Sequence, residues 1–210
     1  MAENQKTYLR GIDVSHFQGD IDWPAVAGDG VHFCFIKATE GIGDVDPMFA
    51  RNWTEAKAAG LLRGAYHFFH PNLDAKQQAE HFLSVVKLDG DSLPPALDIE
   101  VTDGVDAQDL QTGIRTWIET VEAATGRKPV LYTDPSFWQE NVKADLSEYP
   151  LWLACYASEP SMPPDWQNWT FWQHSEQGQV NGINGPVDLD NCDLSYEQLQ
   201  QMCAARPMKA

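Results

Sequence analysis

Pro94-Pro95-Ala96-Leu97-Asp98-Ile99-Glu100 is the stretch on which the fold turns. A proline pair interrupts whatever precedes it, and the residues after it alternate with period two, as a short strand does. Asp98 and Glu100 then share one face, Leu97 and Ile99 the other. Working outward, the same β-rich pattern recurs at Leu9–Ser15, Phe33–Thr39, Arg63–Phe69, Pro129–Thr133, Leu151–Ala157, Trp169–Ser175 and Val187–Asp190. Helical patterns fill most of the gaps, over Pro47–Ala59, Ala75–Lys87, Ala107–Ala124, Pro135–Val142 and Tyr196–Cys203. The clearest carries Leu110, Ile114, Trp117, Ile118 and Val121 as one apolar stripe. Asp46, Asp74, Asp134 and Ser195 stand where helix N-caps are expected. Strands alternating with helices mean an α/β protein. Nearly every strand ends in polar residues and no glycine-rich phosphate turn follows a strand, so a barrel with its site at the strand C-termini is favoured over an open doubly wound sheet.

Composition limits the partners. The chain has 210 residues with 14 Lys+Arg against 31 Asp+Glu, a formal net charge of −17. The acids are spread along the chain, which argues against a disordered acidic tail. That balance excludes a sequence-independent grip on phosphate backbones, so no nucleic-acid partner is expected. No apolar run approaches the ~20 residues a membrane span needs, and Met1 to Arg10 lacks the basic start and apolar stretch of a secretory leader. No membrane insertion is expected. Of the four cysteines, Cys34 and Cys155 lie in apolar strand-like runs, and Cys192 and Cys203 could either bridge or remain free. His67 and His70 sit three apart in a strand and face opposite sides, and no HExxH occurs, so no metal and no cofactor is expected. His16 and His174 would line a cleft or satisfy a polar core.

The acids carry the chemistry. Asp98 and Glu100 have Cα atoms about 6–7 Å apart at ~3.3 Å per residue. Like charges at that range raise one pKa, so one acid can hold a proton while the other stays ionised, the division of labour that glycosidic-bond cleavage uses. Two further acids, Asp13 in Gly11-Ile12-Asp13-Val14-Ser15 and Asp188 in Pro186-Val187-Asp188-Leu189-Asp190, lie inside apolar runs where an unpaired carboxylate is costly unless it faces a polar cavity. In a barrel the first and last strands are neighbours, so the two could meet. The 8 Trp, 9 Phe and 6 Tyr suit sugar platforms as well as core. Trp117 and Trp138, on helices, read as core. A chitinase-type barrel would need acids at positions 93 and 96, which are Leu93 and Ala96. A Gly-Xaa-Ser-Xaa-Gly elbow is absent.

The sequence resembles the glycoside hydrolase family 25 lysozymes over about residues 8–203. The likeness rests on ordered blocks: Gly11–Ser15 with His16-Phe17-Gln18-Gly19 and Asp22-Trp23, Phe35–Gly41, Gly64–Phe68, Leu97–Glu100, Leu131–Thr133, Leu151–Ala154 with Tyr156, Trp172–Ser175 and Val187–Asp190. It implies an irregular, flattened (β/α) TIM-like barrel, one catalytic domain spanning 1–210 with short polar ends. It also implies an N-acetylmuramidase that cleaves the β-1,4 bond between N-acetylmuramic acid and N-acetylglucosamine. By position, Glu100 matches the general acid/base and Asp98 the residue that orients the substrate's acetamido group. Asp13 and Asp188 match the other two active-site acids. Tyr66, Tyr132, Trp152, Tyr156 and Gln173 are the expected substrate-binding residues, with core packing the competing expectation for Trp152 and Tyr156. The alternative is a non-catalytic glycan-binding protein on the same barrel. Peptidoglycan glycan strands are the expected partner and a monomer the expected state. Without a leader, the enzyme would be made in the cytoplasm and reach the wall by holin-type release, as endolysins do, or by dedicated secretion. Lacking a cationic surface to draw it to an anionic wall, it should rely on its groove, so lysis measured across a salt series should not fall steeply from low to moderate salt.

Overall fold

The computed structural model describes residues 7–204; the polar ends expected at 1–6 and 205–210 lie outside the described residues. Nine strands form one sheet: β1 (Leu9–Val14), β2 (Phe33–Glu40), β3 (Asp44–Val45), β4 (Leu62–Phe68), β5 (Ala96–Asp98), β6 (Val130–Thr133), β7 (Leu151–Ala154), β8 (Phe171–Gly178) and β9 (Val187–Cys192). Their order is β1-β9-β8-β7-β6-β5-β4-β2-β3, and an added β1–β2 pairing closes eight of them into a barrel, with β3 left as a hairpin on β2. The barrel is irregular in one respect that matters. Strands β2 and β4–β8 run parallel, whereas β9 is antiparallel to both of its neighbours, β1 and β8.

The helices are α1 (Trp23–Gly28), α2 (Phe49–Ala58), α3 (Ala75–Val85), α4 (Ala107–Thr125), α5 (Pro135–Phe137), continued by a π turn over Trp138–Val142, and α6 (Tyr196–Cys203). The short α1 and the β3 hairpin carry too little periodicity to be seen in sequence. Caps at Asp74, Asp134 and Ser195 form as expected, each side chain accepting a backbone N–H of the first turn. Asp46 is a correction. Helix α2 starts two residues later, behind Met48, and Asp46 is buried with its Oδ2 bonded to the His16 backbone N–H at 2.9 Å and facing His16 Nδ1 at 2.8 Å. Its Oδ1 still takes the Met48 N–H, so a tertiary partner has claimed half of a local cap.

Strand alternation sorts the core into two parts. Ile12, Val14, Ile36, Leu97, Ile99, Leu131 and Leu153 point outward and pack on the helices together with Trp117 and Trp138, both fully buried. Phe33, Phe35, Ala96, Tyr132, Trp152 and Phe171 point inward and fill the barrel. The four cysteines are free thiols, so Cys192 and Cys203 are not bridged. The buried imidazole of His67 is matched: it lies between Thr39 Oγ1 at 2.7 Å and Gln78 Oε1 at 3.1 Å, and its burial lowers its pKa to about 4. His70 lies instead at the rim, between Glu40 and Asp103. Gly11 leaves room for Phe33, since a Cβ there would sit 2.2 Å from the ring. Gly11→Ala should therefore lower stability by about 1–3 kcal/mol, measured as a reduced urea midpoint, because a filled barrel interior has no slack.

Candidate active site

Every inward-pointing acid lies toward one end of the barrel, where the parallel strands finish. Asp13 comes from β1, Asp98 from the last position of β5, and Glu100 from two residues beyond it. Because β9 runs the other way, Asp188 is near its start, directly opposite Asp13 in the β1–β9 register. The meeting of first and last strands thus occurs through an antiparallel pair. Asp190, two residues on and on the same face, lies deeper at 1% exposure. Strand periodicity in Val187-Asp188-Leu189-Asp190 was the signal that could have placed Asp190 with the others.

These carboxylates differ in their surroundings, and so in their proton affinity. Burial, then repulsion from Glu100, holds Asp98 well above the usual carboxylate range, and its buried Oδ1 has no hydrogen-bond partner in the protein. Glu100 is open to solvent, yet crowding by the cleft walls, with Asp188 adding, also raises its pKa. Asp13 is raised by burial and by Asp190 and Asp188. Asp188 is raised to about 6 by burial and Glu176, and Asp190 to about 7 mainly by burial. Lys37 opposes this accumulation: its ammonium favours ionised Asp98 and Glu100. Glu40 Oε2 holds that ammonium at 2.6 Å, and the Phe68 ring lies 4.9 Å below it.

The aromatic residues expected to hold substrate divide into floor and wall. Trp152 is 2% exposed, stacked on Phe35 at 4.2 Å, with its indole N–H donating to Asp190 Oδ1 at 2.8 Å. It has no open face for a sugar, so the competing expectation of core packing describes it. Tyr132 is also mostly buried, edge-on to Trp152, and its hydroxyl donates to Gln173 Oε1 at 3.0 Å. Tyr66 is half-buried and also meets Trp152 in a T-shaped contact, with ring centroids 6.0 Å apart. Tyr156 is 54% exposed, just past the end of β7, and its hydroxyl donates to the same Gln173 Oε1 at 2.8 Å. Gln173 is buried and its Nε2 donates to Asp13 Oδ2 at 2.8 Å. It is a junction that orients two tyrosines and an aspartate. Phe17, on the turn after β1, is 80% exposed and its ring rests on His16. His174 is half-buried beside Trp172. A cavity of about 670 Å³ lies at the opposite end of the barrel, among Pro94, Arg127, Pro150 and Met202, and none of the cleft carboxylates lines it.

Comparison with known proteins identifies the family and the fold. The model of the glycosyl hydrolases family 25 matches residues 12–183. Lysozyme M1 of Streptomyces globisporus is 40% identical over 205 residues, covering 91% of this chain and 70% of its own. The uncharacterized protein YegX of Escherichia coli (strain K12) is 43% identical over 197 residues, covering 91% of this chain and 72% of its own. The crystal structure of the bacterial lysozyme from Streptomyces coelicolor superposes with a TM-score of 0.90 at 36% identity, covering 95% of this chain and 98% of that one.

Removing the Gln173 junction strips a buried carboxylate of an N–H donor and two buried or half-buried hydroxyls of their acceptor. Gln173→Leu should cost about 1–3 kcal/mol in a urea titration and lower turnover as well, since Asp13 and Tyr156 lose their fixed positions.

Proposed function

The chain belongs to the glycosyl hydrolases of family 25 and is an N-acetylmuramidase acting on peptidoglycan, and on that premise we propose that Glu100 is its general acid/base and Asp98 the group that orients the substrate's acetamido arm. One observation carries the assignment. Of two carboxylates on one strand face, Asp98 is buried with an orphan Oδ1, while Glu100 stands open at the cleft surface. A buried acceptor without a donor is costly, and an acetamido N–H from the sugar would supply what is missing. An exposed acid with a raised pKa can deliver a proton near neutral pH and recover one from water.

The bond changes follow from these roles. Ionised Asp98 accepts the acetamido N–H and turns the carbonyl oxygen toward the anomeric carbon. That oxygen attacks as Glu100 protonates the departing glycosidic oxygen, so the C–O bond to the leaving sugar breaks while an oxazolinium ring forms. Glu100, now ionised, takes a proton from water as the water opens the ring. Asp13 and Asp188, opposite one another on β1 and β9, contribute negative potential that favours the developing positive charge. Lys37 favours the ionised form of Asp98 against the burial that raises its pKa. Tyr156 and Tyr66 are the accessible hydroxylated rings for sugar faces, with Trp152, Tyr132 and Gln173 acting beneath them. A single closed barrel supports reading 1–210 as one catalytic domain that works as a monomer on glycan strands. Among the described residues no helix is long and apolar enough to cross a membrane.

Glu100→Gln should lower the rate of wall lysis by about 10²–10⁴-fold while leaving the urea midpoint close to that of the parent. A mutant that clears a peptidoglycan zymogram as well as the parent overturns the acid/base role. Asp98→Asn should slow cleavage of N-acetylated glycan strongly and matter much less on de-N-acetylated glycan, which the parent enzyme itself should cleave poorly. Equal cleavage of both glycans by the parent would remove the acetamido step.

A further inference from the structure

We propose that His70 is a positioning residue for the reaction: as an imidazolium it clamps Glu40, at the end of β2, to Asp103 in the loop after β5, and so fixes the segment that carries Glu100. The inference rests on the acid/base reading of Glu100 for its effect on rate, and the clamp stands on the contacts alone. His70 Nε2 lies 3.0 Å from Glu40 Oε1, and its Nδ1 lies 2.8 Å from Asp103 Oδ2. A carboxylate oxygen only accepts, so both contacts are hydrogen bonds only when both ring nitrogens carry hydrogen. Glu40 is ionised in this arrangement, since its Oε2 also takes the Lys37 ammonium at 2.6 Å. A neutral imidazole has one N–H and must give up one of the two partners.

The clamp itself is firmly seated. Gln78, fully buried on α3, accepts the His70 backbone N–H at 3.0 Å and donates to the His70 carbonyl at 2.8 Å. Glu100 lies beyond the last residue of β5, and two anchors bracket it. On the strand side, the Ile99 N–H donates to the Tyr132 carbonyl at 3.0 Å and the Thr133 hydroxyl to the Ile99 carbonyl at 3.0 Å. On the far side, the Val105 N–H closes a turn on the Thr102 carbonyl at 3.0 Å, and Asp103 within that turn takes a left-handed φ of 46°. The bond from His70 ties this turn to the end of β4. Without it Glu100 loses its far anchor, and proton transfer tolerates little displacement. The charged and titratable groups around His70 are Glu40 and Lys37 from β2, Asp103 from the loop, and His67 from β4, on which His81 of α3 also acts. His67, with its pKa lowered to about 4 by burial, adds no opposing charge near neutrality. Burial works against a charge on His70, but Glu40 and Asp103 outweigh it and hold its pKa above the ordinary value. The unfolded chain releases this proton near pH 6.5. Stability from the clamp is thus complete below about pH 6.5 and is lost as pH rises through the higher folded value.

His70→Ala removes both arms, whereas Asp103→Asn keeps a carbonyl oxygen for Nδ1 without the charge, and asparagine tolerates the left-handed φ. In a proton–carbon NMR titration, with the His70 signal assigned by its loss in His70→Ala, the parent imidazole should be half-titrated above about pH 6.5, and Asp103→Asn should lower that midpoint by about half a unit or more. On soluble, uncrosslinked peptidoglycan glycan strands at about pH 6, His70→Ala should lower kcat about 10-fold with KM within about twofold, and Asp103→Asn should keep at least about a third of the parent's kcat. A midpoint at or below about pH 6.5 overturns the imidazolium clamp. A kcat for His70→Ala close to the parent's, a loss confined to KM, or an equal loss in Asp103→Asn overturns the positioning role. Should His70→Ala not fold, Asp103→Gly, which cuts the loop arm alone and suits the left-handed φ, must show the same loss of kcat or the role is overturned. If Glu100→Gln lyses wall as well as the parent, the acid/base reading fails on its own, and the titration still decides the clamp.

Discussion

The constraint on which the cleft depends is the confinement of several carboxylates in a barrel mouth where, among the described residues, Lys37 is the ammonium that acts on them. Asp13, Asp98 and Asp190 are buried, Asp188 half-buried, and Lys37 itself is shared with Glu40. Charges so placed cannot all persist, and the arrangement resolves the conflict by giving each acid a different degree of solvation and a different donor. Asp13 has Gln173, Asp190 has Trp152, Asp98 has a vacant acceptor, and Glu100 has the solvent. Chemistry follows from that inequality more than from the number of acids.

The floor beneath them is the second element. Phe35, Trp152 and Phe171 fill the barrel so closely that little solvent can reach Asp190 from below. Gln173 then joins floor to wall, because one amide serves Tyr132, Tyr156 and Asp13 together. A rigid support of this kind fixes catalytic groups within the small tolerances that acid/base chemistry needs. The rim is held by contacts of another sort. His70 lies between Glu40 and Asp103 and so ties the ends of β2 and β4 to the loop after β5.

Much of this was visible in the sequence, and what was hidden was hidden for physical reasons. Period two in Leu97-Asp98-Ile99-Glu100 and in Ile12-Asp13-Val14 is a local property, and it assigned faces correctly. The direction of β9 is not local: Val187-Asp188-Leu189-Asp190 reads the same whether the strand runs parallel or antiparallel, and only pairing to β1 and β8 decides it. Trp152 could have been platform or floor, since an indole suits both, and its partner Asp190 is 38 residues away. Asp46 looked like a cap because Asp-Pro favours one, until His16 from a distant turn competed for it. Tyr156 fell outside its expected strand because β7 stops at Ala154, although its hydroxyl still reaches the junction.

The reversed last strand has a bearing on how the molecule comes into being. Strands β2 and β4–β8 can add to one another in the order in which they leave the ribosome, each parallel to the one before. β1, made first, must wait beside β2 with its other edge open until residues 187–192 arrive and slot between it and β8. The ladder that seats Asp13 against Asp188 is therefore among the contacts of greatest sequence separation in the chain, and its closure entropy is met late. A nascent or truncated chain can own most of the helices and most of the sheet and still have no cleft. The cleft is incomplete until residues 187–192 have taken their place in the sheet.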